Sequence, residues 1–299
     1  MHDIFGSMFS VRGKKALVTG GALGIGRACA TALAMGGADV VIVDKDEKAG
    51  RKTAESIKDG TGVDTSFFKC DVSDQREVQA VVSRTVERFG RLDVAVNNAG
   101  VASAESEGIQ QSQAAWDKII GINLTGLWFC AQAQAMQMCS QIPGGGKIIN
   151  IASAAARNAS GDGAYCASKA GVVQLTRSLA MQLGGNNINV NSISPGVVMT
   201  RLLATLSPAE RARLREITPM GYIARPRDIY GAVLFLASAA SDFVTSHDLL
   251  TDGGRTLSTW PLPERHIPPR VSESEEIEEM KADLETLDLV HGERKQDGS

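Results

Sequence analysis

Residues 15–26 read Lys15-Ala16-Leu17-Val18-Thr19-Gly20-Gly21-Ala22-Leu23-Gly24-Ile25-Gly26. An aliphatic run ends at Thr19, glycines crowd the next positions, and an alanine-rich helical pattern opens at once. A strand that passes through such a turn into a helix aims bare backbone amides and the positive helix end at one point, which suits a pyrophosphate. A tight turn needing glycine for positive φ would show the same residues, so a second signal must separate the two readings.

Asp44 supplies that signal. It closes the next β-branched run about 18 residues after Gly26, where a carboxylate can accept both hydroxyls of an adenosine ribose. It would repel a 2′-phosphate, and Leu23, just ahead of Gly24, offers no charge to hold one. Lys45 argues the other way. The cofactor expected is NAD rather than NADP.

Outward from this unit, short β-branched runs alternate with longer helical patterns, the signature of a parallel sheet covered on both faces. Strands are expected at 16–19, 39–43, 65–69, 94–97, 147–151, 189–192 and 248–251, and helices near 24–35, 47–58, 74–89, 113–140, 165–183 and 227–237. Val78, Val81, Val82, Val86 and Phe89 fall at helical spacing and read as core packing. From Arg201 to Arg225 the rhythm breaks. Ser207-Pro208 looks like a helix start, Pro219 and Pro226 bracket a segment, and loops of this length are often lids.

The chain of 299 residues is 43% hydrophobic with net charge -3, so it is globular and lacks the basic excess that phosphate-backbone binding needs. No nucleic acid or membrane partner is expected. The first ten residues carry no basic, apolar leader, which points to a cytoplasmic protein. Cys29, Cys70, Cys130, Cys139 and Cys166 are scattered and read as reduced core thiols. The histidines (His2, His247, His266, His291) are equally dispersed, so neither a metal site nor a Ser/His/Asp triad is expected.

The order Thr19-Gly-x-x-x-Gly24-x-Gly26, Asn97-Asn98-Ala99-Gly100, Asn123, Ser153, Tyr165-x-x-x-Lys169 and Pro195-Gly196 resembles the short-chain dehydrogenase/reductase family from about Phe9 to Thr256. The resemblance implies a single-domain α/β fold over residues 1–256, a Rossmann-type doubly wound parallel sheet of about seven strands. It also implies a homotetramer. In the cofactor site it places Gly20, Leu23, Gly24, Ile25 and Gly26 at the phosphates. Asp71 and Val72 go to the adenine, Asn98, Ala99 and Gly100 to the ribose and the sheet, and Pro195, Val198 and Thr200 to the nicotinamide end.

The catalytic group follows from its chemistry. Tyr165 and Lys169, four apart on a predicted helix, project from one face, and a nearby ammonium favours phenolate over phenol. Tyr165 is the expected acid/base, moving a proton while hydride passes between a secondary alcohol or ketone and the cofactor. Ser153, just past the fifth strand, would donate to the substrate oxygen. Asn123 lies inside the long fourth helix; by resemblance, a backbone distortion there would hold a water that relays protons from Lys169. Cys166 beside Tyr165 reads as a buried thiol rather than a nucleophile.

Between Ser153 and Tyr165 the residues are small and polar, favouring a polyol, sugar acid or small cyclic alcohol as substrate over a bulky ring system. Met199, Leu202, Leu203 and Leu206 give the lid an apolar face, for packing or for closing over a hydrophobic substrate. The rival within the class is a 3-oxoacyl thioester reductase. A different class is a non-catalytic NAD-sensing or interaction protein using the C-terminal extension, residues 257–299. From Trp260 onward eleven acidic face five basic residues, net -6, leaving +3 for the rest. This Pro-rich and acidic extension is read either as partly disordered or as an amphipathic helix with Ile277, Met280, Leu284 and Leu287 on one face. It is also long enough to reach across an interface, with Trp260 and Ile267 as apolar contacts.

Overall fold

A computed structural model describes residues 4–102, 108–200, 203, 206–257, 271–278 and 281. Its strands are β1 Lys15–Thr19, β2 Asp39–Asp44, β3 Thr65–Lys69, β4 Val94–Asn97, β5 Gly146–Ile151, β6 Ile188–Pro195 and β7 Asp248–Thr251. They form one parallel sheet in the order β3-β2-β1-β4-β5-β6-β7. The order reverses between β1 and β4, and such a switch opens a crevice beyond the carboxyl ends of those strands.

Successive residues of a strand face opposite layers, and the core divides accordingly. Val18, Ile42 and Val96 pack with Cys29 and Leu33 of α2 (Gly24–Met35) and with Val233 and Leu236 of a C-terminal helix, Tyr230–Ala237. Leu17, Val41 and Ala95 pack under Val78, Val81 and Val82, as the valine stripe predicts, and under Cys130 and Met138. The stripe lies on α4 (Gln75–Phe89), the third of the helices expected from sequence; the model adds a short α1 (Ile4–Met8), and α3 spans Glu47–Thr61. Asp46 and Asp74 cap α3 and α4, each accepting backbone N–H groups, while Gly62 and Gly90 close them at positive φ.

The single helix expected over 113–140 is interrupted. It runs as α5 (Gln113–Ile120), a π-helical stretch Gly121–Gly126, and α6 (Leu127–Ser140). The distortion expected at Asn123 is therefore present. α7 (Gly163–Leu183) begins two residues ahead of Tyr165 under an Asp162 cap. In the irregular segment, Ser207 and Glu210 form a capping box that starts α8 (Pro208–Glu216). The helix expected over 227–237 opens as a 3₁₀ turn, Pro226–Ile229, and continues as α9 (Tyr230–Ala237).

Residues 273–278 form a helical turn packed on this same chain, with Val271 and Glu276 buried. Ile277 contacts an apolar cluster around Met199 and Ile223. Leu202, Trp260, Ile267, Met280, Leu284 and Leu287 lie outside the described residues.

A buried polar chain ties the layers together beneath the crevice. Asn97 Nδ2 donates to Gln134 Oε1 (2.9 Å) and Asn150 Oδ1 (3.1 Å), and Gln134 Nε2 donates back to Asn97 Oδ1 (2.8 Å). Asn150 Nδ2 donates to Thr176 Oγ1 (2.9 Å) on α7. Because unmade buried bonds cost more than made ones return, Gln134→Leu should lower stability by about 3 kcal/mol. Urea denaturation checks this, and an unchanged midpoint would deny the chain its structural weight.

Candidate active site

The turn after β1 is shaped by close backbone approach. Gly20 and Gly24 have φ of 61° and 56°, and a Cβ on Gly20 would lie 2.8 Å from Ala99 Cα. One on Gly26 would lie 2.0 Å from the Gly20 carbonyl oxygen. Asn98 Nδ2 donates to the carbonyls of Thr19 (3.1 Å) and Gly20 (2.9 Å), and Thr19 Oγ1 accepts from the backbone N–H groups of Asn98 and Ala99. At the start of α2, Leu23 stands at the N-cap and makes no side-chain cap bond. The amide end of the helix therefore borders the crevice with no N-cap side chain bonded to it.

Asp44 ends β2 with Oδ2 accepting from Ala22 N (3.1 Å) and Oδ1 from Asp46 N (3.0 Å). Burial raises its pKa against the pull of these bonds. Asp71 is held below the usual carboxylate range by the hydroxyl and backbone N–H of Ser73.

The other half of the crevice gathers Ser153, Tyr165 and Lys169. Ser153 caps a short 3₁₀ turn, its Oγ accepting from Ala155 N (3.1 Å), and its hydroxyl faces the Tyr165 phenol. Burial pushes the phenol pKa up, the nearby Ser153 hydroxyl pulls it down, and the Asp162 charge adds to the rise. The net direction is opposite to the one the Tyr165–Lys169 spacing suggests, because desolvation of the phenolate outweighs the favourable contacts. Lys169 is 4% exposed, with Nζ 5.8 Å from the Tyr165 ring centroid and donating to the Ile151 carbonyl (2.8 Å). Burial lowers its pKa to about 8.

Asn123 sits fully buried in the π turn. Its Oδ1 accepts from Val101 N (2.8 Å), and its Nδ2 donates to Val101 O (2.8 Å) and Ser168 Oγ (3.1 Å). The amide clamps the segment after Gly100 to α7. A second clamp joins Gln111 to the start of α7: Nε2 donates to Asp162 Oδ1 (2.9 Å), and Oε1 accepts from Ala164 N (3.1 Å).

Comparison with known proteins adds a family to this geometry. A family model described as enoyl-(acyl carrier protein) reductase matches residues 20–256. The short chain dehydrogenase/reductase astE of Aspergillus oryzae is 41% identical over 83% of this chain and 97% of its own length. The chain belongs to the short-chain dehydrogenase/reductase family. D-threitol dehydrogenase of Mycolicibacterium smegmatis is 41% identical over 83% of this chain and 95% of its own. Cis-4-hydroxycyclohexanecarboxylate dehydrogenase of Sinomonas cyclohexanicum is 39% identical over 81% and 96%. Among solved structures, a gluconate 5-dehydrogenase from Burkholderia cenocepacia in complex with NADP and tartrate superposes with a TM-score of 0.80. It is 33% identical over 85% of this chain and 100% of that one.

The chain is thus an oxidoreductase of a family that binds a nicotinamide cofactor. Its residues fit such a group: glycines that leave no room for a Cβ, an uncapped helix end, and a carboxylate beyond them. Gly20, Leu23, Gly24, Ile25, Asp44, Asp71, Val72, Asn98, Ala99, Gly100, Ser153, Tyr165, Lys169, Pro195 and Thr200 line one cleft of about 400 Å³.

Three expected residues do not reach its wall. Gly26 lies beneath the turn, Asn123 beneath the Gly100–Val101 segment, and Val198 is buried where its backbone bridges to Ala224. Sequence reading gave no site role to Ile122, Ala152 and Gly196, which also line the cleft, or to the two supports Thr19 Oγ1 and Gln111. A hydroxyl ending a strand was the available signal for Thr19; nothing local marked Gln111. Among the described residues no cluster could hold a metal, and no helix is long and apolar enough to cross a membrane.

Lys169 has a measurable signature in this short-chain dehydrogenase/reductase. Its folded pKa of about 8 lies below the ordinary 10.5, so between these values the unfolded chain binds a proton that the folded chain releases. Stability from this group therefore rises with pH through that window. Lys169→Met should be more stable than wild type at pH 7 by about 2 kcal/mol, roughly 3 from the shift less about 1 for the bond to Ile151. The gap should narrow from pH 8 toward 10.5 in urea melts. A gap that stays constant across that range would refute the depressed pKa.

Proposed function

We propose that the protein is an NAD-dependent alcohol dehydrogenase/ketoreductase that interconverts a secondary alcohol and a ketone, with Tyr165 as acid/base. The observation that carries this reading is the convergence of Ser153, Tyr165 and Lys169 at one end of a cleft whose other end presents Asp44. When bound, the nicotinamide supplies the hydride acceptor or donor. The Ser153 hydroxyl, which lines the cleft with the phenol, orients the substrate oxygen beside Tyr165. In oxidation Tyr165 takes the hydroxyl proton; in reduction it returns one to the carbonyl oxygen. Lys169, titrating near 8, can hold a ribose hydroxyl as an ammonium and exchange protons close to neutrality. Asn123 fixes the backbone along which a relay to solvent would run.

Asp44 supports NAD over NADP, since a half-buried carboxylate bonded to the Ala22 amide repels a 2′-phosphate and prefers hydroxyls. The small residues Ala154, Ala155 and Ala156 beside Ser153, together with relatives named for D-threitol and cis-4-hydroxycyclohexanecarboxylate, support a polyol, sugar acid or small cyclic alcohol as substrate. A cytoplasmic homotetramer completes the proposal. Trp116 and Trp128, partly exposed on α5 and α6, offer apolar surface for assembly.

The test is turnover of NAD and NADP with polyols, sugar acids, cyclic alcohols and 3-hydroxyacyl thioesters. Oxidation with NAD should rise with pH as the high-lying phenol ionises, and Tyr165→Phe should lower kcat/KM by at least about a hundredfold. Asp44→Ser should shift the ratio of kcat/KM toward NADP by at least tenfold. Preference for NADP in the wild type would overturn the Asp44 argument. Turnover of thioesters alone would favour the 3-oxoacyl reductase, and binding of NAD without turnover would favour the sensor.

A further inference from the structure

The family match ends at residue 256, and relatives covered over 95–97% of their own length reach only 83% of this chain. Residues 271–278 lie beyond that shared length, yet they are docked. Glu276 is 0% exposed. Its Oε1 accepts from the backbone N–H of Ile223 (2.7 Å), and its Oε2 accepts from Arg215 Nε (2.8 Å) and Nη2 (2.5 Å). Glu273 meets Arg215 Nη1 at 3.1 Å, and Glu275 stands 4.0 Å from Arg225. Ile277 completes a small apolar cluster with Val197, Met199, Leu203, Leu214 and Ile223.

These partners share one piece of chain. Arg215 and Leu214 belong to α8, and Ile223 begins the return from it. Met199 precedes Thr200, which lines the cleft and lies against the Gly24 turn, where a Cβ on Gly24 would be 3.4 Å from Thr200 Cγ2. The excursion leaves at Val198 and returns at Ala224, where the two are bridged; Met199 N donates to Ala224 O (2.7 Å). Between those points, α8 makes few contacts with the sheet and has no buried residue of its own. The acidic segment therefore supplies a buried acceptor and an apolar contact that this part of the chain does not find in the main core.

We propose that residues 271–278 latch the excursion whose first residues, Met199 and Thr200, reach the cleft wall, with Glu276 as a positioning residue that acts through Arg215 and Ile223 on Met199 and Thr200. A carboxylate is needed because one group must answer both a guanidinium and a backbone N–H, and once buried it cannot be left half-paired. The latch deepens the dehydrogenase reading and rests on it for its effect on the substrate; its effect on the excursion does not.

The experiment is amide hydrogen exchange on the full chain, comparing wild type, Glu276→Ala and Glu276→Gln, with calorimetric NAD binding and steady-state kinetics on the best alcohol. Glu276→Ala should speed exchange across 199–224 at least tenfold while segments 15–69 stay as in wild type. It should weaken NAD binding at least threefold and raise KM for the alcohol at least fivefold, with kcat changed less than twofold. Glu276→Gln, which keeps an acceptor for Ile223 but no charge for Arg215, should fall between the two; it also serves if the alanine variant fails to fold. Exchange in 199–224 equal to wild type in both variants would overturn the latch. Faster exchange with unchanged NAD binding and unchanged KM would overturn the positioning role. If the wild type oxidises no alcohol, the dehydrogenase reading fails, while exchange and NAD binding still decide the latch.

Discussion

The backbone of Gly26 passes so near the carbonyl of Gly20 that a Cβ would come within 2.0 Å of it, and the Asn98 amide fills the remaining space by donating to Thr19 and Gly20. Everything at the carboxyl edge of the sheet takes its position from this contact. It fixes where α2 points, so the uncapped helix end looks into the crevice rather than along β1. It binds the end of β4 to the end of β1 across the reversal in strand order, and the Asn97–Gln134–Asn150–Thr176 chain carries that rigidity on to α6 and α7. A single polar spine thus runs from the glycine turn to the helix that bears Tyr165 and Lys169.

The electrostatics of the site depend on how dry that spine is. Burial raises the Tyr165 phenol and lowers the Lys169 ammonium to about 8, so their proton affinities, nearly equal in water, separate by opposite responses to one cause. Asp162, held by Gln111 and capping α7, adds negative potential near the phenol while fixing the helix start. The same residue that orders the helix also makes the phenol harder to ionise, which suits a proton donor in the resting protein.

Much of this was legible in the sequence because the deciding signals are local. The glycine turn, Asp44 at a strand end and the Tyr165–Lys169 spacing each depend on residues close in the chain, and the sheet followed from alternation of strand and helix patterns. The clamps were not legible. Gln111 to Asp162 and Asn123 to Val101 join side chains whose proximity is set only after the sheet forms. The sign of the Tyr165 shift was misjudged for a related reason, since spacing reveals a neighbouring charge but not the water excluded by packing. The acidic run at 272–279 left a disordered extension and an amphipathic helix both open, since charge runs are usually solvated; nothing local showed that Arg215 and Ile223 awaited Glu276.

The π stretch at Gly121–Gly126 holds one residue more than an α-helix would use for the same advance. Because the bulge absorbs that residue, α5 and α6 keep the faces they would show in an unbroken helix, and Cys130, Ala131 and Met138 meet the core as usual. The clamp of Asn123 on Val101 is made within that turn, while the packing face is made by α6 beyond it. A substitution on the packing face would therefore trouble the core and spare the clamp, and one inside the turn would do the reverse.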